Sequence, residues 1–463
     1  MRPTCEALTQ VSFCCTLHPG IGPTRVGGGR IPTQLIDLRT PVDRAVLVGA
    51  PERSLSRDLA DEHLKELGRL TDTAGGEVVG TIVQRIDRPH PRFYVGEGKA
   101  RELAELVQEC EGNLVIFDEE LSPAQGQNLE ELLGVRVMDR SELILDIFAT
   151  RARSSEARMQ VELAQLQYLL PRLRRMWNHL SRIRGGIGLR GPGETQLETD
   201  RRLIGNRIGD LRRKLKEVAK ARVVQRRARV GSFRASLVGY TNAGKSSLLR
   251  ALSGSELFVE DRLFATLDSA TRTVSLGAGY EALITDTVGF IRKLPHHLIA
   301  SFRSTLEEAR EADVLLHVID ASHPDWEEQR EVVMEVLEEL AIEDRDKILV
   351  FNKVDQITHG EEDSLLQRIR TLEATPAVFV SAHDPPTLEA LRETLRARTR
   401  SRLAHVVVRV PVADGETIAA LYREGEVTDR VDESMQVAIT ARVPPGLLGR
   451  LVDRSEIVVE DVA

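Results

Sequence analysis

The order of apolar and polar positions predicts alternating strands and helices in the first third of the chain. Short apolar runs are typical of buried strands, and between them apolar residues return every three or four positions, as on one face of a helix. The predicted strands are 44–48, 78–83, 114–117 and 135–138, and the predicted helices are 55–70, 98–107 and 123–133. This alternation indicates a parallel α/β domain, which we place at residues 35–150.

The middle of the chain has a different period. Within 159–180 and 197–218, apolar residues repeat in steps of four and three, the heptad pattern of helices that pack along a seam. Two such segments in succession predict an antiparallel helical hairpin over residues 151–230. We expect Pro171 to kink the first helix and a capping box at Thr195 and Glu198 to begin the second.

Strand-like runs return in the second half of the chain. The runs 235–238, 283–285, 349–351 and 377–380 predict a further α/β domain over 231–400. Strands 403–410 and 435–440, with a helix at 416–421, predict a small C-terminal α/β unit over 401–463. Residues 1–34 lack periodicity and are predicted to be a disordered extension. The predicted fold class is multidomain α/β.

Composition narrows the class of protein. No apolar run in the 463 residues approaches the roughly 20 residues of a membrane span. The N-terminus lacks the pattern of a secretory signal, and the four cysteines lack paired metal-ligand spacing. We therefore expect a cytoplasmic protein with reduced thiols and, as a working assumption, a monomer.

Charge is distributed unevenly. Formal net charge is −8, yet residues 151–234 contain 22 Lys and Arg against 7 Asp and Glu, a net +15 that leaves −23 elsewhere. An acidic protein with one basic segment favours a polyanionic partner, of which nucleic acid is the commonest, over a merely solvated helical surface.

The stretch 239–246, Gly-Tyr-Thr-Asn-Ala-Gly-Lys-Ser, fits the phosphate-binding pattern G-x-x-x-x-G-K-[ST]. It follows a predicted strand and opens a predicted helix, so that backbone N–H groups and the helix N-terminus can form an anion site. In this reading, Lys245 reaches the β- and γ-phosphates and the Ser246 hydroxyl ligates Mg²⁺. The loop therefore predicts a binding site for a nucleoside triphosphate. Its residues are Gly239, Tyr240, Thr241, Asn242, Ala243, Gly244, Lys245 and Ser246.

Two later segments complete a triphosphate switch. Asp286, at the end of a predicted strand, is placed to hold Mg²⁺ through water, and the Gly289 N–H can sense the γ-phosphate. Thr266 lies between the loop and that strand, and can offer its hydroxyl to Mg²⁺ and its N–H to the γ-phosphate.

The base is predicted to be guanine. Asn352-Lys-Val-Asp355 follows an apolar strand, and a carboxylate at Asp355 can accept from guanine N1 and N2, which adenine does not present together. Asn352 can steady the phosphate loop, and the Lys353 stem can cover a face of the base. The backbone of Ser381 and Ala382, after the next strand, can meet guanine O6. These motifs favour GTP over ATP.

Phe290 stands where many GTPases carry a water-orienting glutamine, and phenylalanine has no hydrogen-bonding group. Intrinsic hydrolysis is therefore expected to be slow. Asn242 is a candidate for coordinating a monovalent cation beside the α- and γ-phosphates, and we expect K⁺ to accelerate hydrolysis relative to Na⁺.

The predicted hairpin tip is rich in glycine and arginine. Glycines let a backbone approach phosphate, and arginines fork onto phosphates or stack on bases. We expect the tip to contact RNA through Arg182, Arg184 and Arg190.

Taken together, 239–246, Phe264-Ala-Thr-Leu-Asp268, Asp286-Thr-Val-Gly-Phe290, Asn352-Lys-Val-Asp355 and the tip followed by 191–198 resemble the HflX family of ribosome-associated GTPases. The resemblance runs from about Ile36 to the C-terminus; Ser269 replaces an expected proline. It implies that nucleotide contacts extend to Phe264, Ala265, Thr266, Leu267, Asp268, Asp286, Thr287, Val288, Gly289, Asn352, Lys353, Val354, Asp355, Ser381, Ala382 and His383. Ser246 and Thr266 would be the Mg²⁺ ligands.

The resemblance also implies a GTP hydrolase that binds the large ribosomal subunit and its RNA, and that splits or rescues stalled or idle ribosomes under stress. Two other functions stay open. One is a regulatory switch on a protein partner, with the hairpin as an oligomerisation coil, although such a coil needs no Arg-Gly tip. The other is an RNA-modifying enzyme gated by GTP, against which stands the lack of a Cys/His or carboxylate cluster in the sequence.

Overall fold

The structure is a computed structural model that describes residues 42–182, 192–227, 232–255, 262–295, 298, 308–342, 344–370, 375–433, 435–454 and 457–461. Only the backbone is described for 174–182, 192–197 and 222–227, and for His359 and Pro445. The predicted extension, residues 1–34, lies outside the described residues.

The elements of the N-terminal part are β1 (Arg44–Gly49), α1 (Arg57–Ala74), β2 (Glu77–Val83), α2 (Glu97–Glu109), β3 (Leu114–Phe117), α3 (Pro123–Leu133), β4 (Arg136–Asp139) and α4 (Arg140–Arg151). The strands form the predicted parallel sheet, in the order β2-β1-β3-β4. The helices have recognisable ends: the Ser56 side chain caps α1, and Ser122 and Gln125 form a capping box at α3.

Helix α4 is an element that the periodicity did not predict. Its residues Leu143, Ile144, Leu145, Ile147 and Phe148 are all buried, so its polar face is only the narrow stripe of Glu142 and Asp146 and the helical period is weak. The Asp139 side chain accepts from the Glu142 N–H and caps it.

The basic segment forms two long helices, α5 (Ser155–Arg182) and α6 (Pro192–Arg227). They pack along the predicted seam, where Leu163, Ile208 and Leu211 are buried. Helix α5 continues through Pro171. The predicted start of the second helix, Thr195, is wrong: α6 begins at Pro192. Proline suits the first turn of a helix because the N–H that it lacks would have no helical carbonyl as a partner.

The second α/β part is a six-stranded sheet in the order β10-β9-β8-β5-β7-β6, parallel except for β6. The elements are β5 (Phe233–Gly239), α7 (Lys245–Ser253), β6 (Ala270–Gly277), β7 (Tyr280–Asp286), β8 (Val314–Asp320), α8 (Trp326–Glu339), β9 (Lys347–Asn352), α9 (His359–Ile369), β10 (Ala377–Phe379) and α10 (Leu388–Ser401).

The C-terminal part is an antiparallel sheet in the order β12-β13-β11-β14, with two helices. Its elements are β11 (Ala404–Pro411), α11 (Gly415–Glu424), β12 (Glu426–Glu433), β13 (Gln436–Val443), α12 (Pro445–Val452) and β14 (Val458–Asp461). The boundaries proposed between the domains stay a prediction.

One apolar core joins the N-terminal sheet to the second one. It contains Leu47 and Phe148 from the first part, and Phe264 and Phe290 from the second. The rings of Phe148 and Phe264 meet edge to face with centroids 4.6 Å apart, an arrangement that adds about 0.5–1.5 kcal/mol to simple burial. Across the described residues, no helix combines the length and the apolar character needed to cross a membrane.

Candidate nucleotide-binding site

The loop 239–246 connects β5 to α7, as the sequence motif requires. Gly244 is the N-cap of α7 and has φ 91°, a left-handed conformation that favours glycine. A Cβ on Gly244 would lie 2.2 Å from Asn352 Nδ2, and one on Gly239 would lie 2.3 Å from the Val318 carbonyl oxygen. The loop therefore has no space for side chains at these two positions.

Lys245 lies inside the loop. Its ammonium donates to the carbonyl oxygens of Gly239, at 3.0 Å, and Tyr240, at 2.8 Å. Burial lowers the pKa of Lys245 to about 8, and the charge of Asp286 acts in the opposite direction. A buried cation at the N-terminus of a helix is suited to an anionic group.

Three oxygen-bearing side chains meet beside Lys245. The Ser246 hydroxyl donates to Asp286 Oδ2 at 2.5 Å, and lies 2.6 Å from Thr266 Oγ1. Asp286 Oδ1 is buried and has no hydrogen-bond partner among the described residues. Burial raises the pKa of Asp286, while Lys245 and the Ser246 hydroxyl lower it. Hard oxygen donors with an unsatisfied carboxylate oxygen fit Mg²⁺.

Gly289 closes the other side of the site. A Cβ there would lie 2.7 Å from Thr241 Cα and 3.0 Å from Lys245 Nζ. The next residue, Phe290, is fully buried, and its backbone pairs with the loop: Thr241 N donates to Phe290 O at 2.6 Å, and Phe290 N donates to Gly239 O at 3.1 Å. Phe290 belongs to the apolar core and is not among the residues that line the cavity described next.

Lys245, Ser246, Thr266 and Gly289 line one cavity. Most of its lining was predicted; Ser247 and Arg262 were not, although Arg262 stands in the same segment as Thr266. The lining residues are Thr241, Asn242, Gly244, Lys245, Ser246, Ser247, Arg262, Phe264, Ala265, Thr266, Thr287 and Gly289.

The predicted base-binding segments follow two adjacent parallel strands, β9 and β10. Asn352 is buried; its Nδ2 donates to Ala243 O at 2.9 Å and its Oδ1 accepts from Ala382 N at 3.2 Å, so it ties the phosphate loop to the second segment. Lys353 pairs with Asp320 at 2.6 Å. Asp355 is exposed, which leaves its carboxylate accessible to a base.

Besides the base-binding segments, several predicted contacts do not line the cavity, namely Gly239, Tyr240, Ala243, Leu267, Asp268, Asp286 and Val288. The Asp268 carboxylate instead accepts from the N–H groups of Arg153 and Ser154, at 3.1 Å each, just before α5. Of the predicted RNA contacts, Arg184 and Arg190 lie outside the described residues, and Arg182 ends α5 without a described side chain.

Successive parts of the chain match families described as GTP-binding GTPase N-terminal (residues 61–149), GTP-binding GTPase Middle Region (151–229) and 50S ribosome-binding GTPase (234–353). A crystal structure of a GTP-binding protein from the hyperthermophilic archaeon Sulfolobus solfataricus in complex with GDP is similar at TM-score 0.41 and 23% identity, covering 77% of this chain and 99% of that one.

Whole-length relatives have higher identity. The chain is 42% identical over 420 residues to GTPase HflX of Magnetococcus marinus, covering 90% of this chain and 96% of the relative. It is 43% identical over 393 residues to GTPase HflX of Escherichia coli (strain K12), covering 84% and 91%. With this identity over nearly the whole length of such relatives, the chain belongs to the HflX family of GTPases and is a GTP hydrolase.

Proposed function

We propose that this GTPase binds the large ribosomal subunit in its GTP state and splits or rescues stalled or idle ribosomes under stress. The observation that carries the proposal is the convergence of Lys245, Ser246, Thr266 and Gly289 on one cavity. Such a cavity can distinguish a triphosphate from a diphosphate. The ribosomal partner is supported by the description of the family matched at 234–353 and by the +15 charge of 151–234. A ribosomal partner would place the protein in the cytoplasm.

Each residue of the candidate site would have its own role in binding and hydrolysing GTP. Lys245 would hold the β- and γ-phosphates, and Ser246 and Thr266 would hold Mg²⁺, with Asp286 bonded to the Ser246 hydroxyl. Bound Mg²⁺ would neutralise charge that develops on the phosphates. Gly289 N–H would meet the γ-phosphate, and the Asp355 carboxylate would select guanine. Phosphoryl transfer is to water.

Co-sedimentation with purified large subunits tests the partner. We expect the protein in the pellet with a non-hydrolysable GTP analogue and in the supernatant with GDP. Absence from the pellet in both states would favour the alternative, a switch that acts on a protein partner through the hairpin. A Lys245→Ala variant serves as a control that lacks nucleotide binding but keeps the hairpin.

The hairpin tip is tested by charge. Replacing Arg182, Arg184 and Arg190 by alanine should weaken subunit binding and flatten its salt dependence, because each phosphate contact contributes about 0.7–0.9 to the slope of log K against log salt. A matched triple variant of Arg423, Arg430 and Arg450, which lie in the C-terminal part, removes the same charge. An unchanged slope in the tip variant would show that these arginines do not meet phosphate.

Hydrolysis is expected to depend on a monovalent cation. Asn242 lines the phosphate cavity with φ 61°, and its amide oxygen is suited to K⁺ beside the phosphates. GTP turnover should be faster in K⁺ than in Na⁺ at matched ionic strength, and Asn242→Ala should remove the difference. Equal wild-type rates in both salts would exclude this role.

A further inference from the structure

The segment that carries Thr266 is attached to the first helix of the hairpin. Asp268, two residues after Thr266, accepts two backbone hydrogen bonds from Arg153 and Ser154, and the Ser154 hydroxyl donates to its other oxygen. Ser154 Oγ also accepts from Ala157 N at 3.0 Å, which makes Ser154 the N-cap of α5. A carboxylate at this end also complements the helix dipole. Asp268 and Ser154 thus form one joint between the two elements.

A second contact holds the same segment on the other side of Thr266. Phe264 is 2% exposed and packs against Phe148 of α4, while its N–H donates to Thr241 Oγ1 of the phosphate loop at 2.9 Å. Leu263 and Leu267 are buried in the same apolar core. Because residues two apart in an extended chain are separated by at most about 7 Å, Thr266 has little freedom to move without Phe264 and Asp268.

We infer that Asp268 is a positioning residue that couples the nucleotide switch to the hairpin. When Thr266 moves to contact the γ-phosphate and Mg²⁺, Asp268 transmits the movement to the N-terminus of α5 through Ser154. Coupling of this kind is reciprocal, so a partner that engages the hairpin changes the affinity for GTP by the same factor as GTP changes the affinity for the partner. The inference rests on the proposed nucleotide site and extends it to a regulatory path.

The test uses five variants of the full chain: Asp268→Ala, Ser154→Ala, the double variant of these two, Ser154→Thr and Ser122→Ala. Ser122→Ala is the matched control, because it removes an N-cap hydroxyl from α3, away from the switch. Affinities for GDP and for a non-hydrolysable GTP analogue are measured on each. Ser154 lies outside the phosphate cavity, so an effect at Ser154 cannot come from direct contact with nucleotide.

We expect the preference for the GTP analogue over GDP to fall by about 5- to 150-fold in Asp268→Ala and Ser154→Ala, the usual range for coupled sites. GDP affinity should be unchanged in Ser154→Ala, and Ser154→Thr should keep the wild-type preference because it keeps the hydroxyl. In the double variant the two losses should not add, because both remove the same joint. A preference equal to that of Ser122→Ala, or additive losses, would overturn the inference.

Amide hydrogen exchange gives a readout that loss of stability alone would not move. In the wild type, the first turn of α5 should exchange at different rates with the GTP analogue and with GDP, and in Asp268→Ala the difference should disappear. An exchange difference that persists in Asp268→Ala would show that Asp268 does not couple the nucleotide site to α5. If the wild-type protein does not prefer the GTP analogue over GDP, the proposed function fails. If the wild type has this preference and Asp268→Ala and Ser154→Ala keep it, only the coupling fails.

Discussion

At the scale of single residues, the site depends on positions where a side chain would collide with functional atoms. Gly244 and Gly289 are of this type, although they differ in backbone conformation: only Gly244 has a positive φ. An added Cβ would meet a residue that we propose for the nucleotide site, Asn352 in one case and Lys245 in the other.

Gly244→Ala and Gly289→Ala should therefore both lower nucleotide affinity. The added methyl groups would lie 2.2 Å from Asn352 Nδ2 and 2.7 Å from Thr241 Cα, distances that force the loop to move. Gly244→Ala should also be the more destabilising, because of its backbone strain. Titration with fluorescent GDP measures the first effect and thermal unfolding the second. Gly98→Ala, where a methyl group meets open space, is the control; wild-type affinity in Gly289→Ala would refute the steric argument.

At the scale of elements, the hairpin is a long basic helix pair with a narrow apolar seam. Helix α6 contains Gly205 and Gly209 in its interior, and apart from the helix's own backbone no atom of a described residue lies within 4 Å of where either Cβ would be. Glycine inside a helix weakens it, because the unfolded chain gains freedom that the helix must remove.

Gly209→Ala should consequently stabilise the hairpin by up to about 1 kcal/mol. Urea unfolding of the full chain, followed by hydrogen exchange in α6, measures the change. Gly254→Ala is the opposing control: Gly254 ends α7 with φ 65°, so alanine there should destabilise. A loss of stability in Gly209→Ala would indicate a contact of this face that the structure does not contain.

At the scale of the whole molecule, a buried ionic cluster joins the N-terminal sheet to the segment after Gly289. Asp118, at the carboxyl end of β3, accepts from Arg140 at 2.7 Å, Lys293 at 2.8 Å and Arg292 at 3.3 Å. Glu66 completes the cluster by accepting hydrogen bonds from Arg140 and from the hydroxyl of Tyr240, a residue of the phosphate loop. The Tyr240 hydroxyl in turn accepts from Arg292 N at 3.0 Å. The N-terminal sheet is therefore tied to both sides of the nucleotide site.

Asp118→Asn should destabilise the protein at neutral pH by about 3–5 kcal/mol, because it leaves buried cations without their partner. Burial alone would raise the pKa of Asp118, but the charges of Arg140, Arg292 and Lys293 hold it well below its usual range; Glu66 and Glu119 are the acidic groups nearby. A depressed carboxyl pKa stabilises the fold above the unfolded-state value near 4 and loses that effect as pH falls below it.

The stability gap between wild type and Asp118→Asn should accordingly be full at pH 7 and shrink as pH falls from about 4. Denaturant titrations at several pH values measure it. Asp432→Asn is the control, since Asp432 forms only an exposed pair with Arg430, which solvent and salt screen. A gap that does not vary with pH would show that the charge of Asp118 is not what stabilises the interface.

Local pattern was enough for much of this architecture and for most of the phosphate cavity. Helix α3 was predicted with its observed limits because proline, a capping serine and a terminal glycine mark them within the segment itself. Helix α4 was missed because it is buried around most of its circumference. The start of α6 was predicted too late because a capping-box pattern within a helix looks the same in the sequence as one at the helix N-terminus.

The candidate nucleotide site could be predicted from the sequence alone, since its loops consist of consecutive residues whose backbone conformation and neighbouring strand are local properties. The tertiary structure alone decided how that site is connected to the remainder of the protein. Asp268 reaches Ser154 across 114 positions, and Tyr240 reaches Glu66 across 174. Such pairs leave no periodic trace in the chain, because the partners meet only when separate elements pack against one another.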